Sequence, residues 1–206
     1  MTTALVIGAS GGIGSACVDE LSSKGYQVRQ MTSADLDLNY PERIFDVDLT
    51  DVDVLVNCTG HTQGTYLGFL KNDWQNQVSQ MTVNYISNLM LLKHYANSRS
   101  SGKYVWVSSA SMDNPRTFHS VYISSKVGSK FAIDLVRNEA MHISILEAKV
   151  GLTKTNTRFR NFMGTKTLEE VESTYEGPCL LPEVVSHRIV QAIEQNLETV
   201  DILNEF

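Results

Sequence analysis

The apolar positions of this chain fall into short unbroken runs, separated by stretches where they recur every three or four residues. TALVI (Thr3 to Ile7) is apolar after its first residue and ends in glycines, the pattern of a strand buried on both faces. Ile13 to Lys24 has helical spacing and stops at Gly25, a helix terminator. Tyr26 to Thr32 reads as a second strand and Val52 to Asn57 as a third. Helical spacing covers Trp74 to Asn97, then Lys103 to Ser109 forms another buried run. A helix over Val121 to Ala140 leads into a strand over His142 to Ala148. Pro182 to Leu197 is the last helix, and Thr199 to Leu203 a short closing strand. Strands alternating with helices predict a parallel sheet covered on both faces. Right-handed crossovers stack such units into one doubly wound sheet, an α/β/α sandwich of a single domain.

Composition narrows the functional classes. The chain has 206 residues, 42% hydrophobic and 19% charged, an ordinary globular balance. Its net charge is −6 with no block of one sign, so neither nucleic acid nor an anionic membrane has electrostatic support. Cys17, Cys58 and Cys179 are widely spaced with no CxxC pair, which fits a reducing cytoplasm rather than a disulfide framework or a zinc knuckle. The run at Ala4 to Ile7 is too short for a signal-peptide core, and no run approaches the roughly 20 apolar residues of a membrane helix. No His/Asp/Glu set has metal-ligand spacing, so no metal is expected.

In doubly wound sheets ligands bind beyond the carboxyl ends of the strands, and four strand ends are informative here. After the first strand stands GASGGIG, with Gly8, Gly11, Gly12 and Gly14. Glycines allow positive φ and close approach of a ligand, and the N-terminus of the following helix suits a phosphate. A tight turn alone would also need glycine. After the third strand stands NCTG, Asn57 to Gly60. Ser108 and Ser109 end a strand, and HSVYISSKVG (residues 119–128) places Tyr122 and Lys126 four apart. On a helix that spacing puts both side chains on one face.

These stretches, in this order, resemble the short-chain dehydrogenase/reductase family over nearly the whole chain. GASGGIG looks like its cofactor loop, NCTG its Asn-Asn-Ala-Gly, and Asn84 in MTVNYIS its helix asparagine. Ser109 precedes Tyr122 by the family's thirteen positions, and Tyr122 with Lys126 makes its Tyr-x-x-x-Lys. The resemblance implies a Rossmann fold and hydride transfer between a nicotinamide and a carbonyl or alcohol. It makes Asn84, Ser109, Tyr122 and Lys126 the catalytic set. Tyr122 would be the acid or base, tuned by the Lys126 cation, since an ordinary tyrosine pKa of about 10 is too high for neutral pH. Ser109 would donate to the substrate oxygen, Lys126 would also hold the nicotinamide ribose, and Asn84 would hold a proton-relay water. Read without the family, Ser109 is a helix cap and Asn84 a buried hydrogen-bonded amide.

The cofactor groove implied by the resemblance takes in Gly8, Ser10, Gly11, Gly12, Ile13 and Gly14. It continues through Thr32, Ser33, Asp37 and Leu38 beside the adenine, Asn57, Cys58, Thr59 and Gly60 beside the adenosine, and Tyr122 and Lys126. Val150, Gly151, Thr153 and Thr155 close it. Asp37 reads equally as a turn-forming aspartate. NADP is expected over NAD, because Thr32, Ser33 and Ala34 follow strand two where an acid would hold the ribose of NAD. Against it, Gly11 stands where NADP users often carry a basic residue, and Arg29 lies within the strand.

The chain is shorter than the family usually runs, and the shortening falls between the second and third strands. A strand-helix unit expected there is reduced to about a turn of helix around Pro41 to Phe45. Val150-Gly151 replaces a Pro-Gly. Residues 156–178 should form a substrate lid carrying Arg158, Arg160 and Lys166, with Lys154 before it, either a basic attractant for acidic substrates or a solvated face. His61 reads as a pocket-rim or surface residue rather than a catalyst. The resemblance implies a homodimer or homotetramer through the two long helices, where Ile86, Leu89, Met90, Lys93 and Phe131 serve an interface or the core. A small carbonyl or alcohol compound is the expected partner. Rival readings are an epimerase or dehydratase of the extended relatives, for which the chain has little room, and a non-catalytic NADP-binding sensor.

Overall fold

A computed structural model describes residues 1–63, 67–115, 117–155 and 179–203. The expected lid, with Arg158, Arg160 and Lys166, lies outside the described residues. The six predicted strands are present as β1 (Thr3–Ile7), β2 (Gln27–Met31), β3 (Val54–Asn57), β4 (Gly102–Ser109), β5 (Ile143–Val150) and β6 (Thr199–Ile202). All pair in parallel in the order β2-β1-β3-β4-β5-β6. The order runs outward both ways from β1 and β3, which is the doubly wound arrangement, with its switch point at the ends of those two strands.

Helices cover both faces. On one side α1 (Gly12–Ser23) and α6 (Pro182–Glu194) pack on Val6, Val56, Val107 and Ala148. On the other α4 (Ser87–Ser98) and α5 (Ser120–Glu139) pack on Leu5, Leu55, Tyr104, Trp106 and Ile145. The alternation of burial partners along each strand follows from side chains pointing to opposite faces. Gly25, at φ 82, terminates α1, and Pro182 sits in the first turn of α6, where a missing N–H costs nothing. Asp73 caps α3 (Trp74–Met81) by accepting from Gln75 N at 2.7 Å.

The helical turn expected between β2 and β3 is present at Pro41–Asp46 and no strand stands beside it, so β2 is the sheet edge. Leu36, Leu38, Ile44, Val47 and Leu49, all buried, cover β1 and β3 in place of a helix. The stretch from Trp74 to Asn97 is helical but not uniform: α3 passes through a π-helical turn, Thr82–Ile86, into α4. And β5 runs two residues beyond Ala148, because its pairing with both β4 and β6 continues to Val150. A short helix, α2 (Gly68–Lys71), had no periodic signal.

Candidate active site

The glycine loop joins β1 to α1. Gly8 has φ 82, and both its N–H and that of Ala9 bond the carbonyl of Met31 at the end of β2, at 2.9 and 3.1 Å. A Cβ on Gly14 would stand 2.1 Å from the Gly8 carbonyl oxygen, and one on Gly12 2.8 Å from the Thr155 methyl. The loop therefore closes on itself only with glycine at position 14, and a side chain at position 12 would have to displace Thr155. No side chain caps α1 at Gly11, so its first N–H groups are left for an anion. Beside them a hollow of about 810 Å³ is lined by Ser10, Gly11, Gly12, Lys154 and Thr155, and by the acids Asp19, Glu20 and Glu183 as well. These features fit a dinucleotide diphosphate at the loop.

A buried polar network holds the NCTG turn. Asn57 Nδ2 donates to Asn88 Oδ1 at 2.9 Å and to the Tyr104 hydroxyl at 3.2 Å. Asn57 Oδ1 accepts from the backbone and hydroxyl of Thr59, at 3.1 and 2.6 Å. Tyr104, on the middle of β4, donates in turn to Asn88 Oδ1 at 2.7 Å. Cys58 Sγ lies 4.0 Å from Cys17 Sγ on α1. That contact and burial push the Cys58 thiol well up.

Asn84 lies in the π turn, where the extra residue of the turn aims it inward. Its Oδ1 accepts from His61 N at 2.7 Å, and its Nδ2 donates to His61 O at 2.9 Å and Ser125 Oγ at 3.1 Å. Ser125 donates to the carbonyl of Tyr122 at 2.6 Å, and Ser129 to that of Asn84 at 2.8 Å. The π turn, α5 and the NCTG turn are thereby tied at one point. A methyl group on Gly60 would lie 3.9 Å from both Asn84 Oδ1 and Lys126 Nζ.

Lys126 is buried, with Nζ donating to the carbonyl of Val107 at 3.1 Å. Burial pushes its pKa down to about 8, opposed only by Cys58. Ser109, at the end of β4, caps the helical turn Ala110–Met112, accepting from Ser111 N at 3.2 Å. Its hydroxyl donates to Ser111 Oγ at 3.0 Å, a bond it would exchange to reach a ligand oxygen. The structure thus shows the local bonds expected of Ser109 and Asn84 from the residues alone, and also brings Gly60, Asn84 and Lys126 together.

Other expected residues sit as follows. Asp37 is a turn former, accepting from the N–H and side chain of Asn39 at 2.9 and 3.0 Å. Leu38 is buried in the core and its carbonyl accepts from Ser87 at 2.6 Å. Thr32 donates through N and Oγ1 to Asp35 Oδ2, at 2.8 and 2.9 Å, while Ser33 is exposed. Arg29 is engaged by Asp51 at 2.5 Å. Val150 is buried, Gly151 N bonds Ile202 O at 2.8 Å, and Thr153 is buried with its hydroxyl on Gly151 O at 3.1 Å. Ile13 is half-buried against the core. His61 is half-buried, with Nε2 enclosed and without a hydrogen-bond partner. Burial lowers its pKa. Leu89 and Met90 pack against the core, whereas Ile86, Lys93 and Phe131 are exposed. Among the described residues no group of His, Cys, Asp and Glu could hold a metal, and no helix is long and apolar enough to cross a membrane.

Sequence reading missed the residues behind the site, namely Tyr104, Trp106, Asn88 and Ser125. The available signal was a tyrosine and a tryptophan on alternate positions of a buried strand that ends at Ser109.

A parallel doubly wound sheet with a glycine turn at its switch point defines a dinucleotide-binding type of fold. The sequence profile described as short chain dehydrogenase matches residues 42–164, more than half of the chain. The chain belongs to the short-chain dehydrogenase family, which places it among nicotinamide-dependent oxidoreductases. No curated protein matches it in sequence. Among solved structures it is similar to a small-chain dehydrogenase in complex with NADPH, at 16% identity and a TM-score of 0.84, covering 99% of this chain and 96% of that one. A short-chain dehydrogenase from Burkholderia cenocepacia in complex with NADP matches at 17% identity and a TM-score of 0.79, covering 98% and 87%. A 3-alpha-hydroxysteroid dehydrogenase from Pseudomonas complexed with NADH matches at 16% and 0.78, covering 98% and 94%. Likeness at these identities speaks for the fold.

Proposed function

We propose that this protein is a single-domain oxidoreductase that interconverts a small carbonyl compound and its alcohol, with Tyr122 as general acid and base. The observation that carries the reading is the buried Lys126 cation one helical turn after Tyr122, tied to β4 and beside Gly60 and Asn84. When bound, a nicotinamide dinucleotide supplies or accepts the hydride. Gly8, Ser10, Gly11, Gly12, Ile13 and Gly14 hold its diphosphate end, Asn57 to Gly60 line its middle, and Lys126 holds the ribose near the reacting carbon. Val150, Gly151, Thr153 and Thr155 flank it from the other side.

The work of the chain itself is proton handling and placement. The Lys126 charge favours tyrosinate at Tyr122 and draws its pKa toward the working range. Ser109 turns its hydroxyl to the substrate oxygen as negative charge grows there, an effect of about 3 kcal/mol for one preorganised donor. Asn84 fixes the His61 turn against α5 and is the candidate for holding a relay water. Residues 156–178 are proposed as the lid, and exposed Ile86 and Phe131 as part of an interface between copies.

NADP is the dinucleotide proposed first, in keeping with the NADP and NADPH named for two of the similar structures. One observation favours NAD instead: the Asp35 carboxylate folds back onto Thr32 at the end of β2, where it would meet a ribose hydroxyl and repel a phosphate. Fluorescence titration with NADPH and with NADH decides between them. Asp35→Asn should raise the NADPH-to-NADH affinity ratio about tenfold. Tyr122→Phe should bind the dinucleotide as the parent does and lose at least a hundredfold in kcat on any carbonyl that the parent reduces. Unchanged turnover in that variant would remove the reading.

A further inference from the structure

Lys126 raises a question that its role at Tyr122 does not answer. Its ammonium is buried, yet no carboxylate of the described residues lies within ion-pair distance of it. A buried charge without an anion is costly unless other groups stabilise it. One of its three protons goes to the carbonyl of Val107. Directly beside it is the indole of Trp106, whose ring centroid lies 5.6 Å from Nζ. Trp106 is 1% exposed, and Tyr104, two residues before it on the same face of β4, points into the Asn57 network instead.

We propose that Trp106 is a positioning residue for the reaction, holding the Lys126 ammonium charged through a cation–π contact with its indole face. The inference rests on the assignment of Lys126 under the proposed function. Such contacts strengthen when both partners are shielded from water. The choice of an aromatic ring over an acid has a consequence. A carboxylate beside Lys126 would cancel its field at Tyr122, whereas an indole carries a quadrupole and no net charge. The ammonium is stabilised and its positive field still reaches the tyrosine.

Other titratable groups around Lys126 do not substitute for the indole. Cys58, on the turn after β3, favours the Lys126 cation only as a thiolate, and the Cys17 contact and burial push that ionisation well up. Glu147 on β5 is committed to Ser108 Oγ at 2.7 Å and Lys130 at 3.5 Å. His61 is pushed toward its neutral form by burial. On α5 itself, Lys130 is engaged by Asp134 at 2.6 Å, and Tyr122 is the group being tuned.

The test reads the lysine directly, without cofactor or turnover. In a Trp74→Phe background, Trp74 being 73% exposed, Trp106 is the remaining tryptophan. Trp106 is replaced biosynthetically by mono-, di- and tetrafluorotryptophan, which keep its shape while withdrawing charge from its face. The Lys126 ionisation midpoint is followed by NMR of isotope-labelled lysine Cε, assigned with Lys126→Met. The midpoint should fall stepwise with fluorination, by about one pH unit across the series. Trp106→Phe should fall between the parent and the most fluorinated protein, and the alkaline limb of kcat should move with the midpoint. A midpoint that stays put across a folded fluorinated series overturns the proposal. Because that midpoint is independent of turnover, a protein inactive on every carbonyl would sink the proposed function and leave this result standing.

Discussion

Replacing Lys126 with methionine should stabilise the folded protein at neutral pH, by an amount that shrinks as pH rises. In the folded chain burial pushes the Lys126 pKa from the usual 10.5 down to about 8. At about 1.4 kcal/mol per pH unit, keeping this lysine charged in the folded state costs roughly 3 kcal/mol at neutral pH. Between pH 8 and 10.5 the unfolded chain binds more protons at this position than the folded one, so stability rises with pH across that window. Below pH 8 both states are charged and the penalty is constant. By about pH 9.5 it has fallen to a little over 1 kcal/mol. The lost bond to the Val107 carbonyl and any packing change in Lys126→Met are independent of pH. The useful quantity is therefore the change in the difference between parent and variant. Urea unfolding without added cofactor, at about pH 7 and about pH 9.5, should show the parent gaining roughly 2 kcal/mol on Lys126→Met. A difference that does not move would mean that Lys126 is solvated in the folded state, and the reasoning from its burial would fail.

Gly14→Ala places a Cβ 2.1 Å from the Gly8 carbonyl oxygen; it should cost about 3 kcal/mol or more and weaken dinucleotide binding, measured by urea unfolding and fluorescence titration. Asn57→Ala removes the acceptor of Thr59 and the donor to Asn88 and Tyr104; a loss of about 2–3 kcal/mol is expected, and less than 1 kcal/mol would show that the NCTG turn is held otherwise. Cys17 is buried, Cys58 and Cys179 are half-buried, and the Cys58 thiol is pushed up; with an aromatic disulfide reagent at about pH 8, Cys179 should react first, Cys58 more slowly and Cys17 only as fast as the protein opens.

The order of strands and helices, the glycine turn, the NCTG turn and the Tyr122–Lys126 pair were legible in the sequence because each is a local pattern. A buried strand needs a run of apolar residues, a tight loop needs glycine, and a four-residue spacing on a helix shares a face wherever the helix sits. The fate of residues 32–53 was only half legible. Their shortness ruled out a full helix, but the sheet ends at β2, and Leu36, Leu38, Ile44, Val47 and Leu49 reach the core from loops and one helical turn to cover β1 and β3. Asp35 folding onto Thr32 likewise depends on a turn whose dihedrals composition does not specify. The π turn at Asn84 is invisible to a helical period, since one extra residue in a turn shifts the register without changing which residues are apolar. What only the tertiary structure decided is which groups meet across elements. Alternation sets the face of β4 that Trp106 uses, but the register of α5 over that face places Lys126, and not Lys130, beside the indole. The same packing brings Cys17 to Cys58, and Asn84 to His61 and Ser125. Such contacts depend on side-chain volumes summed across a three-layer core, and that sum is not written in any one stretch of the chain.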